Sequence, residues 1–275
     1  MTADDENDAL AEAYNRGLDL EKAGDLDGAE AAYREVLVLD PDDHGGVSVR
    51  LAAMGRLAAP ERAPDAYVAT LFDQNAVNFD DMLVDQLGYA VPMMVREKLE
   101  PLAPGPYPKL LDLGCGTGLT GVSLADWCEH VTGVDLSEAM LDEAHERGVY
   151  DDLYVAEACD FLEGAEDGPW DMIAATDVLP YIGDLSRFFA GCAGQLRPGG
   201  LLVVSCESEP DQVADYLVGA KHRFAHARGY LSGLLESHGF ASLAFDPITV
   251  RYDEGAPVPG YLVVARIGAP GDAGP

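Results

Sequence analysis

Apolar positions recur at helical spacing from about Ala9 to Asp40, break at Ala23-Gly24-Asp25 and end at Pro41, which predicts two helices joined by a tight turn. A shorter helix is expected within Val47–Leu57. Ala58–Pro64, with two prolines and little apolar content, reads as a linker. Two more helices follow, roughly Ala66–Asn75 and Met82–Leu99, the second interrupted near Gly88 and Pro92. Four prolines and a glycine in Pro101–Pro108 then predict a firm break.

Beyond that break the pattern changes. Short apolar runs at Lys109–Leu113, Val131–Asp135, Leu153–Ala156, Trp170–Ala175 and Leu201–Cys206 predict buried strands. Helical patterns at Leu119–Cys128, Ser137–Arg147, Leu185–Leu196 and Ala227–His238 alternate with them, the second opening on a serine cap. Two apolar segments, Leu243–Tyr252 and Tyr261–Arg266, flank the Gly/Pro-rich Asp253–Gly260 and suit a terminal hairpin. Alternation of this kind predicts an α/β fold, a doubly wound, mostly parallel sheet of seven strands ending in an antiparallel strand. The expected divisions are a helical hairpin and linker at 1–60, a helical lid segment at 61–108, an α/β core at 109–268 and a disordered tail at 269–275.

Charge narrows the field. The 275 residues carry 17 basic against 49 acidic side chains, a net of 17 − 49 = −32. Nucleic-acid binding, which needs cations to displace counterions from phosphates, is not expected, and anionic membranes are disfavoured by the same field. No apolar run is long enough to span a bilayer, and the acidic start lacks the basic, then apolar, character of a signal peptide, so a cytoplasmic location is expected. Cysteines at 115, 128, 159, 192 and 206 form no CxxC pair; neither a disulfide framework nor a metal site is expected.

The chemistry concentrates where the first strand runs into Asp112-Leu113-Gly114-Cys115-Gly116-Thr117-Gly118, with Asp135 closing the second strand seventeen residues after Gly118. Alternating glycines let a backbone pass beneath a ligand where a Cβ would collide. A carboxylate at the neighbouring strand end can accept from both hydroxyls of a ribose. Gly116-x-Gly118-x-x-Gly121 also satisfies the dinucleotide fingerprint, so an NAD(P)-binding protein competes with any other nucleoside reading.

The sequence resembles the class I S-adenosylmethionine (SAM) methyltransferases, with their Rossmann-like fold, in LLDLGCGTG, VTGVDLSEAML, DVLPYIGD at 177–184 and LRPGGLLVVS at 196–205, over about Leu110 to Arg266. The acid before the glycines and the antiparallel terminal pair favour SAM over NAD. Gly17, Gly24, Ala29, Tyr33 and Pro41 are similar in spacing to a tetratricopeptide repeat (TPR), and the whole resembles predicted methyltransferases with an amino-terminal TPR. A lone repeat cannot build a concave peptide-binding surface, so a capping or dimerising hairpin is favoured over a peptide receptor. A protein partner recruited through it is the alternative to a small-molecule acceptor.

The resemblance implies SAM as cofactor, with Asp112, Gly114 and Gly116 at its methionine end, Cys115 among the cofactor-binding residues, Asp135 on the ribose and Leu136 against the adenine. It implies Asp160 near the adenine amino group beside Phe161, with Glu157 as rival, and Asp177 lining the methionine end. Phe72, Asn75 and Phe79 could fold over the cofactor as a lid. Catalytic candidates on the strand-end loops are Tyr181, Glu207 and His226, of which His226 has the most suitable intrinsic pKa. Lys221, His222, Arg223, His226 and Arg228 form the one dense basic cluster, expected to overhang the substrate pocket and bind an anionic group, unless it is only a solvated face.

Overall fold

The computed structural model describes residues 3–268; the expected tail at 269–275 lies outside them. Helices α1 (Ala3–Lys22) and α2 (Leu26–Leu39) form the expected hairpin, turning through Gly24 at φ +80°, with Asp25 capping α2 by accepting from the Gly28 amide at 3.0 Å. The Tyr33 ring fills the space that a side chain at Gly17 would occupy: a Cβ there would lie 2.4 Å from it. A short third helix, α3 (Val47–Ala53), closes this unit.

The hairpin packs on the part of the chain that follows it. Val49 joins Ala63, Val68 and Phe224 in one apolar cluster, and Glu21 faces Arg50 at 3.4 Å and His222 at 3.8 Å. Next come α4 (Asp65–Asp73), a π-helical turn at Asp81–Gln86, and α5 (Val91–Leu102), which starts with Pro92 in its first turn. The expected interruption near Gly88 is real, but α5 runs through Pro101, because the predicted proline break takes effect only after its last turn.

The sheet is built from β1 (Tyr107–Leu113), β2 (Cys128–Asp135), β3 (Asp152–Val155), β4 (Trp170–Ala175) and β5 (Leu196–Glu207), parallel in the order β3-β2-β1-β4-β5. Between them run α6 (Leu119–Leu124), α7 (Glu138–Glu146), α8 (Ala158–Gly164) and α9 (Ser186–Gln195). After β5 come two three-residue strands, β6 (Tyr216–Val218) and β7 (Phe224–His226), then α10 (Arg228–Ser237) and the long pair β8 (Phe240–Asp253) and β9 (Ala256–Ile267). Strand β9 inserts antiparallel between β5 and β8.

The sheet therefore has nine strands where seven were expected. The additional β6–β7 hairpin was not legible because three-residue strands are too short to show a period of two. Strand β4 is buried on both faces, Trp170, Ile173 and Ala175 packing with α8–α10 and Met172 and Ala174 with α5–α6. No described helix is long and apolar enough to cross a membrane.

Gly260 marks the closest approach within the sheet, since a Cβ there would lie 2.1 Å from the Cys206 carbonyl and 2.5 Å from Val250 Cγ2. A backbone carbonyl cannot move aside without breaking the β5–β9 ladder. Gly260→Ala is therefore expected to destabilise the domain by about 2–3 kcal/mol, read as a lowered midpoint in urea unfolding.

Candidate functional site

Strand ends β1, β2 and β4 converge on a cavity of about 910 Å³, counting its open mouth, within the size range of small-molecule sites. Its floor is Gly114–Thr117 and its sides are Asp135-Leu136, Ala156–Ala158 and Thr176–Val178. The roof comes from the helical segment before the core, chiefly Val68, Phe72, Phe79 and Leu83. Phe72 stands edge-on to Phe79 at 5.7 Å and to Tyr181 at 5.4 Å, and thereby seals that side. Hydrogen bonds fasten the roof to the core: Ser137 Oγ donates to Asp73 at 2.5 Å, Thr117 Oγ1 donates to Asp80 at 2.5 Å, and Arg147 also pairs with Asp80.

The glycines of the motif do different jobs. A Cβ at Gly114 would meet Val178 Cγ2 at 2.3 Å, so this glycine admits the loop after β4. Gly118, Gly121 and Gly133 surround Tyr150, whose ring or hydroxyl would lie 2.9, 2.4 and 2.9 Å from a Cβ at each. Only Gly116, at φ +54° and with nothing within 4 Å of its Cβ position, opens the floor to a ligand.

Asp135 lies in the cavity wall as expected, accepting from the Gly116 amide at 2.8 Å and the Ser137 amide at 2.9 Å. Burial raises its pKa, against the lowering by those amides. Leu136, Gly114, Cys115, Gly116 and Asp177 also line the cavity. Asp177 sits at φ +60°, a conformation uncommon for a non-glycine residue, with its amide donating to Ser205 Oγ at 2.9 Å.

Asp112 does not reach the wall. It lies 1 % exposed beneath the loop, where one oxygen accepts from Tyr150 Oη at 2.7 Å and the Gly121 amide at 3.1 Å while the other has no partner. Its role is to anchor the loop from below, because the strand's alternation points it under the floor. Asp160 and Phe161 also fall outside the wall. The first pairs with Arg187 at 3.0 Å on an exposed helix face and the second packs toward Trp170; the start of α8 instead turns Glu157, the rival acid, into the cavity. Asn75 is not a wall residue either, its amide donating to the Leu71 carbonyl at 2.6 Å.

His226 is the clearest correction among the catalytic candidates. It is 0 % exposed and absent from the cavity wall, its Nε2 facing the Ile182 and Gly183 carbonyls at 2.9 and 3.2 Å. Two carbonyls require Nε2 to carry the proton, and burial pushes the pKa down to about 4, so this imidazole is a neutral packing group. Tyr181 does line the cavity, but burial holds its phenol well above the ordinary value, and its Oη accepts from Arg223 Nη1 at 2.6 Å.

The basic cluster is likewise not a substrate patch. Arg223 donates to Asp177 at 2.7 Å and to Glu207 at 2.5 Å, Arg251 donates to Glu207 at 2.6 Å, and the four charges cancel. Lys221 pairs with Asp253 and Glu254, and Arg228 lies over the Phe245 ring at 4.2 Å. Pairing partners that arrive from distant strands could not be seen in the local charge count. Sequence reasoning also missed Tyr89, Thr120 and Thr176, which line the cavity; the two threonine hydroxyls are 2.7 Å apart.

Burial raises the Asp112 pKa to about 7, so between about pH 4 and 7 the folded protein holds a proton that the unfolded chain releases. The sign follows: native stability falls through this window as pH rises, and Asp112→Asn removes that contribution. The stability of D112N relative to wild type is expected to rise by about 2–4 kcal/mol between pH 5 and pH 8, measured by urea denaturation at both.

Residues 111–204 match the family model described as a methyltransferase domain. Among curated relatives, the ubiquinone biosynthesis O-methyltransferase of Coxiella burnetii is 32 % identical over 118 residues, 42 % of this chain and 50 % of that protein. Its namesake from Aromatoleum aromaticum is 29 % identical over 181 residues, 58 % of this chain and 77 % of that protein. The chain spans about half the length of the first curated relatives it matches. The N-methyltransferase NodS of Bradyrhizobium japonicum, solved with S-adenosylhomocysteine, shares the fold at a TM-score of 0.56 and 18 % identity, covering 73 % of this chain and 98 % of NodS. From β1 into β5 the chain is thus similar to a methyltransferase domain, and its fold is shared with solved methyltransferases.

Proposed function

We propose that this chain binds SAM in the cavity above the glycine loop and transfers its methyl group to a small, largely apolar acceptor. The observation that carries the reading is Asp135 and Gly116 in one wall of a covered cavity: a carboxylate for the ribose diol beside the one stretch of floor that a Cβ would fill. The antiparallel β9 next to β5 favours SAM over a nicotinamide cofactor, and solved neighbours such as NodS hold its demethylated product.

SAM, when bound, supplies a methyl group already activated by its sulfonium. The work left to the protein is alignment and exclusion of water. Phe72, Phe79, Leu83 and Tyr181 exclude solvent from above, and the Asp177 carboxylate, fixed by Arg223, supplies negative charge at the β4 end. Among the described residues, no histidine lines the cavity. A dedicated general base is therefore not part of the proposal.

The cationic groups near the site are already paired with carboxylates, which argues against the anionic acceptor expected from the basic cluster. A roof of helix and aromatic side chains admits a small molecule more readily than a polypeptide. On this reading the α1–α2 hairpin is a single TPR-like unit whose occupant is its own catalytic domain, and five unpaired cysteines suit a reducing cytoplasm.

Calorimetric titration tests the cofactor: SAM and S-adenosylhomocysteine are expected to bind with one site per chain, and Asp135→Asn to weaken both ~10-fold or more. Binding of NAD without SAM would overturn the reading. For transfer, the check is release of S-adenosylhomocysteine in a panel of neutral aromatic and aliphatic acceptors, with their carboxylated counterparts reacting more slowly.

A further inference from the structure

Helix α4 lies between the amino-terminal unit and the cavity. Asp65, Val68 and Phe72, spaced three and four residues apart on one side of it, line the cavity. Tyr67 meets Gly46 instead, the left-handed residue at φ +64° on which α3 begins. The approach is as close as a glycine permits. A Cβ at Gly46 would lie 2.6 Å from Tyr67 Cδ2 and 2.8 Å from Cγ, so no other residue fits there without moving the ring. Neither Gly46 nor Tyr67 reaches the cavity wall.

Three residues further on, Val49 of α3 packs with Phe224 of β7, and both are 0 % exposed. The residue before Phe224 is Arg223, which donates to Asp177 at 2.7 Å and to Tyr181 Oη at 2.6 Å, both residues of the cavity wall. The turn ahead of Arg223 closes with the His222 amide on the Gly219 carbonyl at 3.0 Å, and His222 faces Glu21 of α1 at 3.8 Å. The first turn of α3 therefore backs two pieces that come from opposite ends of the chain, the roof helix α4 and the strand that carries Arg223. Close-packed contacts of this kind have little slack, so a shift at α3 passes to both.

We infer that the amino-terminal unit is a working part of the cavity: Gly46 against Tyr67, and Val49 against Phe224, set where α4 and Arg223 stand, and with them how tightly the site holds its cofactor. Gly46 and Tyr67 are then positioning residues, acting through Val68 and Phe72 on the same helix. The inference rests on the SAM reading above. Coupling is reciprocal, so a cofactor that closes the cavity must in turn hold α3 more firmly in its seat.

The test titrates S-adenosylhomocysteine into the full-length wild type, Gly46→Ala, Tyr67→Leu and the double variant by calorimetry, with urea unfolding to show that each is folded. G46A is expected to lose ~10-fold in affinity, because its methyl group pushes the Tyr67 ring and α4 with it. G46A/Y67L is expected to recover part of that loss, since the smaller side chain leaves room for the methyl group. Amide hydrogen exchange in α3 of the wild type is expected to slow ~3-fold or more when the ligand is added, a change that a purely structural attachment would not show. A folded G46A that binds as the wild type does, strictly additive losses in the double variant, or ligand-independent exchange in α3 would each overturn the inference. If G46A does not fold, the wild-type exchange decides: slowing supports the coupling and no change overturns it. Failure of the wild type to bind S-adenosylhomocysteine at all would instead remove the cofactor reading, and this inference with it.

Discussion

The hydroxyl of Tyr150 on the buried carboxylate of Asp112 is the contact around which the site is organised. The ring needs room, and Gly118, Gly121 and Gly133 provide it, so three glycines near the motif serve packing beneath the floor. With the ring in place, the Gly121 amide can also donate to Asp112, and the start of α6 is drawn against β1. The loop above is then fixed closely enough for the Gly116 amide to meet Asp135 across the strand end. The floor of the cavity is thus shaped by packing beneath it.

A second constraint is electrostatic. A chain of net charge −32 places two arginines, Arg223 and Arg251, among Asp177 and Glu207 at the end of β5. Buried carboxylates so close together would repel one another or take up protons; guanidinium groups between them keep the cluster neutral and its geometry fixed. The short β6–β7 hairpin delivers Arg223 to this spot, which gives that insertion a structural purpose within the sheet. It also ties Tyr181 into the cavity wall.

The helical segment before the core closes the cavity that the strand ends open. Its apolar side chains form the roof, its acids Asp73 and Asp80 reach hydroxyls on the core, and its linker reaches Glu157. The amino-terminal hairpin buries its third helix against the same region through Val49 and Phe224. The three parts of the chain therefore share one apolar interior near the site, and the expected division at residue 108 separates elements of sequence more than units of packing.

The sequence alone determined what depends on local pattern. Strand β4 was read at its full length because an uninterrupted apolar run leaves few alternatives, and Ser137 announced α7 by the chemistry of its hydroxyl, which accepts from the Met140 amide. The glycine motif and Asp135 were legible for the same reason: strand, turn and acid lie within a few residues of one another or at a fixed crossover distance. Tertiary structure decided whatever depends on facing. Asp112 and Asp135 look alike in the sequence, yet one points beneath the loop and the other into the cavity, because the pleat of β1 and the turn after β2 aim them differently. Glu157 rather than Asp160 reaches the wall because α8 begins one residue after Glu157. His226 and Arg223 looked available until their partners, carried in from Ile182, Asp177 and Glu207, took up their hydrogen bonds. Residue type sets what a group can do, but its neighbours set whether it is free to do it, and those neighbours are distant in the chain.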